Sequence, residues 1–185
     1  MHRILLPLPG RHQSGNALLA IRVLEEAEKL GFVIPEEALK QGMAQVRWPA
    51  RLEWNGRFLL DGAHNPPAMR ALGAYVRSFL DEPPILLSAV MDDKDAESIA
   101  GELSAFIRAA VTVPLAEQRA MDPQTWAEHL RHHGITAYAE ESLKSGLQKA
   151  CELAGTGTVL CTGSLYLVGQ LRDMLCMEDR PESDD

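Results

Sequence analysis

Several side chains have types and settings that suit chemistry. Asp61-Gly62-Ala63-His64-Asn65-Pro66 follows the short apolar run Phe58-Leu59-Leu60. A carboxylate at the end of a buried strand can accept hydrogen bonds from a ribose diol, which makes Asp61 a ligand candidate. Gly62 lets a ligand approach the backbone, and the His64 imidazole can donate, accept or stack. Asn65 stands where it can cap a following helix, whose free N–H groups favour an anion. The same spacing equally suits Asp61 and Asn65 as turn and capping residues only. Lys94 lies between Asp93 and Asp95, where it can hold positive charge over a carboxylate substrate or belong to a solvated charge run. Thr162-Gly163-Ser164 offers hydroxyls and backbone N–H groups at a strand end, or a plain turn. In Gly10-Arg11-His12-Gln13-Ser14-Gly15-Asn16, the Asn16 amide has the donor–acceptor pair that reads adenine; a loop and helix cap is the alternative. Arg51 can grip a phosphate bidentately or form a surface ion pair. His129, His132 and His133 have the i, i+3, i+4 spacing of a zinc-binding helix face, without a carboxylate or thiol at suitable spacing. They also sit in the last turn before Gly134, where the negative end of a helix favours them, and no metal is assigned to this chain.

The elements that must position these groups follow from apolar periodicity. Residues 4–8 are expected as a short strand and 9–16 as a loop. A helix is expected over 16–30, with Ala20, Val23, Leu24, Ala27 and Leu30 on one side. A second helix is expected with Pro35 at its first position and Glu36 and Glu37 in its first turn, running to about Val46. From about residue 50 the texture alternates. Strands are predicted at 58–60, 84–90, 110–113, 135–138 and 158–161, with helices between them and a last helix to about Met177. Five strands separated by helices imply right-handed crossovers and a mainly parallel α/β sheet with helices on both faces. Ligands in such sheets sit at the carboxyl ends of the strands, where loops 61–67, 91–95 and 162–166 fall.

Composition narrows the function. The 185 residues are 46% hydrophobic and 24% charged, which excludes disorder. The net charge of -8 argues against a sequence-independent hold on nucleic acid or on anionic membranes. No apolar run approaches the ~20 residues that cross a bilayer, and the start does not read as a signal peptide. Cys151, Cys161 and Cys176 are odd in number, contain no CxxC and lie in apolar stretches, so they read as reduced, packed and cytoplasmic.

Several segments occur together in a recognisable order. They are Leu8-Pro9-Gly10-x-His12-Gln13-x-x-Asn16-Ala17, Arg51-Leu52-Glu53, Leu60-Asp61-Gly62-Ala63-His64-Asn65-Pro66, Met91-x-x-Lys94-Asp95, Arg119-Ala120 and Thr162-Gly163-Ser164-Leu165-Tyr166-Leu167-Val168-Gly169. The ordered set spans about residues 4–172 and resembles the folylpolyglutamate synthase/dihydrofolate synthase branch of the Mur-type amide ligases. The resemblance implies a Rossmann-like C-terminal domain over 49–177, preceded at 1–48 by a remnant of the central ATPase domain. Residues 178–185 are expected to be a disordered acidic tail.

It also implies an activity. Such ligases use ATP to phosphorylate a carboxylate of dihydropteroate or a folate, and the amine of L-glutamate then attacks the acyl phosphate, with Mg2+ on the phosphates. Some bacterial members use both dihydropteroate and reduced folates. By position, the resemblance assigns Asn16 to adenine, Arg51 to the phosphates, Asp61 to the ribose and His64 beside the nucleotide. By looser analogy it assigns Lys94 and Ser164 to the incoming glutamate. Ala50 departs from the glycine common before the arginine. No GxxxxGK[ST] loop occurs anywhere in the chain. The phosphate-gripping lysine, most metal ligands and most of the folate site are therefore expected in an N-terminal ATPase domain outside this sequence, and the chain alone is expected to be inactive. The first helices would then pack on the C-terminal domain or pair with a second copy as a homodimer. The alternative is a stand-alone nucleotide- or amino-acid-binding module without catalysis.

Overall fold

The computed structural model describes residues 6–178. The chain divides into two compact units, residues 1–52 and 53–185. Glu178 closes the last helix; the rest of the expected acidic tail, 179–185, lies outside the described residues.

The first unit carries α1 (His12–Lys29) and α2 (Glu36–Gln45). Helix α1 starts four residues earlier than its polar, glycine-containing opening suggests. No side chain caps it. Instead the Gln13 and Ser14 amides donate to the carbonyls of Gly10 and Arg11 at 3.0 and 3.3 Å. Gly10 and Arg11 close the turn, and residues 12–16 are helix where a loop was expected. Of the strand expected at 4–8, Leu6, Pro7 and Leu8 are irregular, and residues 4 and 5 lie outside the described residues. Pro35 is the N-cap of α2 and not its first helical residue, its ψ of 135° being extended. Leu18, Leu19 and Val23 of α1 are 60% or more exposed.

The second unit is built on one six-stranded sheet in the order β1-β2-β6-β3-β4-β5. Its strands are β1 (Glu53–Asn55), β2 (Phe58–Leu60), β3 (Ile85–Ser88), β4 (Ala109–Thr112), β5 (Ala137–Ala139) and β6 (Val159–Thr162). All neighbours are parallel except β1, which runs antiparallel to β2 with Glu53 opposite Leu60. Every residue of β3, β4 and β6 is buried. Successive side chains point to opposite faces, so both faces of the sheet are covered.

The covering helices are α3 (Pro66–Phe79), α4 (Ala96–Ser104), α5 (Pro123–His132), α6 (Leu143–Ala154) and α7 (Leu165–Glu178). Helix α4 packs between α3 and α5, α6 lies on β3 and β4, and α7 on β6. Four of these helices begin at a side-chain cap: Asn65, Asp95, Asp122 and Ser142 each accept from an amide three residues on. Each cap satisfies one orphan donor and fixes where a loop ends. The five strands predicted from sequence are present; β1 is the addition. Its three residues, Glu-Trp-Asn, carry no apolar run, and its pairing comes from the turn at Gly56 (φ 55°). An Arg172–Glu53 ion pair at 3.0 Å ties this edge strand to α7.

Candidate functional site

In the sheet order, β2, β6 and β3 are neighbours, so their carboxyl ends open side by side. The β6 exit is tied to the β2 exit: the Gly163 amide and the Thr162 hydroxyl both donate to the Ala63 carbonyl, at 2.9 and 3.2 Å. Gly163 has φ 107°, and a Cβ there would meet the Ala89 carbonyl oxygen and Ser88 Oγ at 2.6 Å. Only glycine fits. Ser164 follows, 3% exposed, its Oγ accepting from the Tyr166 amide at the start of α7.

The β2 exit is shaped by Asp61, 6% exposed, whose Oδ1 accepts from the Ala63 amide at 2.9 Å. His64 Nδ1 lies 2.8 Å from the Gly62 carbonyl. A carbonyl only accepts, so Nδ1 carries the proton, and Nε2 of the neutral ring is left as an acceptor. Asn65 caps α3, accepting from the Ala68 amide at 3.0 Å.

The β3 exit carries Lys94, with Nζ 3.6 Å from Asp93 Oδ1; the other oxygen, Oδ2, accepts from Arg119 at 2.9 Å. Arg119 belongs to an irregular segment pinned to this loop. The Asp92 amide donates to the Arg119 carbonyl at 2.8 Å, Met91 and Ala120 form an antiparallel bridge, and the Met121 amide donates to the Val90 carbonyl at 2.9 Å. A cavity of about 140 Å³ lies among these loops, lined by His64, Asp93, Lys94, Arg119, Ser164 and Tyr166 with their neighbours. The structure thus brings together His64, Lys94 and Ser164; Asp61 lies outside this lining. Arg119 belongs to the Arg119-Ala120 segment of the ordered set of motifs, to which the resemblance assigns no role. Its approach depends on the bridge to Met91, which no local periodicity reports.

Asn16 and Arg51 meet elsewhere, in a cavity of about 290 Å³ within the first unit, walled largely by apolar groups including Met43, Val46 and Trp48. Asn16 Nδ2 donates to Gln13 Oε1 at 3.0 Å. Arg51 is flanked by Ala50 (φ 59°) and Leu52 (φ 50°), both buried and both in the left-handed region that side chains with a Cβ avoid. The four residues assigned to a nucleotide are therefore divided, two in each unit.

The histidine cluster has a structural partner. His129 Nδ1 and His133 Nε2 hold the two oxygens of Glu97 at 3.0 and 2.8 Å, joining α5 to the first turn of α4. Hydrogen bonds from His129 and then His133 pull the Glu97 carboxyl below its ordinary value. That carboxylate comes from another helix, beyond the reach of local spacing. Among the described residues no group of three or more His, Cys, Asp and Glu is placed to hold a metal ion. Cys161 is buried on β6, and burial pushes its thiol up, away from reactivity. No described helix is long and apolar enough to cross a membrane.

The fold that carries these loops has known counterparts. The chain belongs to the Mur ligase family, glutamate ligase domain, whose sequence profile matches residues 49–165. It is 27% identical over 174 residues to the folylpolyglutamate synthase of Lacticaseibacillus casei, covering 92% of this chain and 40% of that protein. It is 27% identical over 184 residues to the dihydrofolate synthase/folylpolyglutamate synthase of Bacillus subtilis, covering 91% and 40%. A Mycobacterium tuberculosis folylpolyglutamate synthase solved with ADP superposes with a TM-score of 0.82 at 27% identity, covering 97% of this chain and 43% of that one. The chain thus spans about 40% of the length of these relatives.

Proposed function

We propose that this chain is the C-terminal part of an ATP-dependent, ADP-forming ligase that joins L-glutamate to dihydropteroate or a reduced folate through an acyl phosphate. The observation that carries this reading is the cavity at the ends of β2, β3 and β6, where Lys94 and Arg119 face Ser164 and His64. A cationic cavity at that position suits an amino acid that must be held by its carboxylates. Lys94 and Ser164 are assigned to glutamate and His64 to the nucleotide side, its Nε2 free to accept. In the first unit, the apolar walls beside Asn16 suit a flat adenine ring and Arg51 a phosphate. Asp61 is assigned to the ribose, although its Oδ1 already accepts from the Ala63 amide.

Mg2+ would neutralise the phosphates. Its ligands and the phosphate-binding loop belong to a part of the ligase outside this sequence, an ATPase domain whose seat is the exposed apolar side of α1. The protein is cytoplasmic in this reading. The chain by itself has no ligase activity. Mixed with ATP, dihydropteroate and L-glutamate, it should release no ADP in steady turnover and should bind ATP weakly by calorimetry. Steady ADP release would overturn the assignment of the missing half. Sub-micromolar ATP binding without turnover would replace the ligase reading with a stand-alone nucleotide-binding module.

A further inference from the structure

From the second cation of the strand-end cavity we infer that Arg119 makes this site select an amino acid with two carboxylates, taking one of them while Lys94 takes the other. The inference rests on the glutamate assignment above and deepens it.

L-Glutamate carries two carboxylates and one amine, for a net charge of −1 when the amine is protonated. Lys94 alone matches one carboxylate. Arg119 lines the same cavity from a different segment, and its position does not depend on its own side chain. Two backbone hydrogen bonds clamp it there, Asp92 to Arg119 and Met121 to Val90, together forming the antiparallel bridge of Met91 with Ala120. Asp93 stands between the two cations, one oxygen toward each, at 3.6 Å from Lys94 Nζ and 2.9 Å from Arg119. One carboxylate thus relieves the repulsion between two cations and fixes their spacing. Two positive charges and one negative leave the set at +1, opposite in sign to the ligand. The bond to Asp93 uses one terminal nitrogen of Arg119. The guanidinium has five N–H donors in a rigid fork, so a face remains for a carboxylate. The Lys94 side chain is 33% exposed and that of Arg119 67%, which sets the lysine deeper and the arginine at the rim, a two-point grip on an extended ligand.

Isotope-labelled full chain titrated with L-glutamate, L-glutamine and L-isoglutamine, followed at the Gly163 and Ser164 amides, tests this. The two amides each lack one of the two carboxylates. The wild-type chain should bind L-glutamate at least about tenfold tighter than either amide. In Arg119→Ala the preference over one of the amides should fall to about twofold or less, with affinity for that amide itself unchanged, and Arg119→Lys should restore part of it. Arg119 is exposed, so these variants should keep the wild-type amide spectrum. If Arg119→Ala keeps its full preference over both amides, or loses all three ligands in proportion, Arg119 does not select the ligand and the glutamate assignment stands without it. If the wild-type chain shows no response to L-glutamate at these amides, the glutamate assignment itself fails and the inference with it.

Discussion

Gly163 has no room for a side chain. Its φ of 107° is strained for any residue with a Cβ, and that Cβ would sit 2.6 Å from a backbone oxygen at the end of β3. The backbone strain and the close contact act together, so Gly163→Ala should lower stability by about 3 kcal/mol in urea unfolding. A loss under 1 kcal/mol would mean that the β3 and β6 exits separate easily. Ser164 would then not be held in register with Lys94. The His64 Nδ1 bond to Gly62 and the Asp61 Oδ1 bond from Ala63 each span two residues, whereas the Asp61 amide bond to the Cys161 carbonyl and the contact at Gly163 join segments far apart in sequence. The close fit at Gly163 and the long-range bonds to Ala63 and Cys161 together hold the three exits side by side.

Helix α5 is pinned to α4 by two imidazoles on one carboxylate. The Glu97 carboxyl titrates below its ordinary value of 4.5 because His129 and His133 hydrogen-bond its charged form. A depressed folded value means that the carboxylate stabilises the fold above about pH 4.5 and stops doing so as the pH falls through the lower, folded value. The stability difference between wild type and Glu97→Ala should therefore be present at neutral pH and vanish under acid. A difference that persists at the lowest pH would assign it to packing. The same helices show what was legible in the sequence. Strands β2 to β6 and their exit loops follow from apolar runs bounded by Asp, Gly and Pro, which also places His64, Lys94 and Ser164 at strand ends. The edge strand β1 was not legible, because Trp54 is 46% exposed and its neighbours are polar. The start of α1 was misplaced because Ser14, Gly15 and Asn16 favour loops in isolation, while backbone bonds to Gly10 and Arg11 decided the matter. Glu97 beside the histidines arrives from another helix, and although the Arg119-Ala120 segment stands in the ordered set of motifs, its approach to Lys94 is a tertiary contact that sequence spacing does not report.

At the scale of the whole chain, the first unit leaves apolar surface uncovered. Leu18 and Leu19 are each 66% exposed and Val23 60%. Contiguous exposure of this kind marks a contact surface. The chain should self-associate with rising concentration in sedimentation equilibrium, and Leu19→Glu should return it to a monomer without unfolding. A wild-type chain that stays monomeric throughout would rule out pairing through α1. The second unit carries a different consequence, set by strand order. β6 comes last among the strands in sequence yet lies in the middle of the sheet, where Leu60 of β2 pairs with Cys161 and Ile85 of β3 with Val159. During synthesis, β2 and β3 leave the ribosome long before the strand that must lie between them. Each waits with an open edge, and loop closure over so long a segment is slow. A message broken between β3 and β6 therefore yields no shortened but serviceable sheet. It yields two unmatched edges, a species for chaperones and proteases to clear.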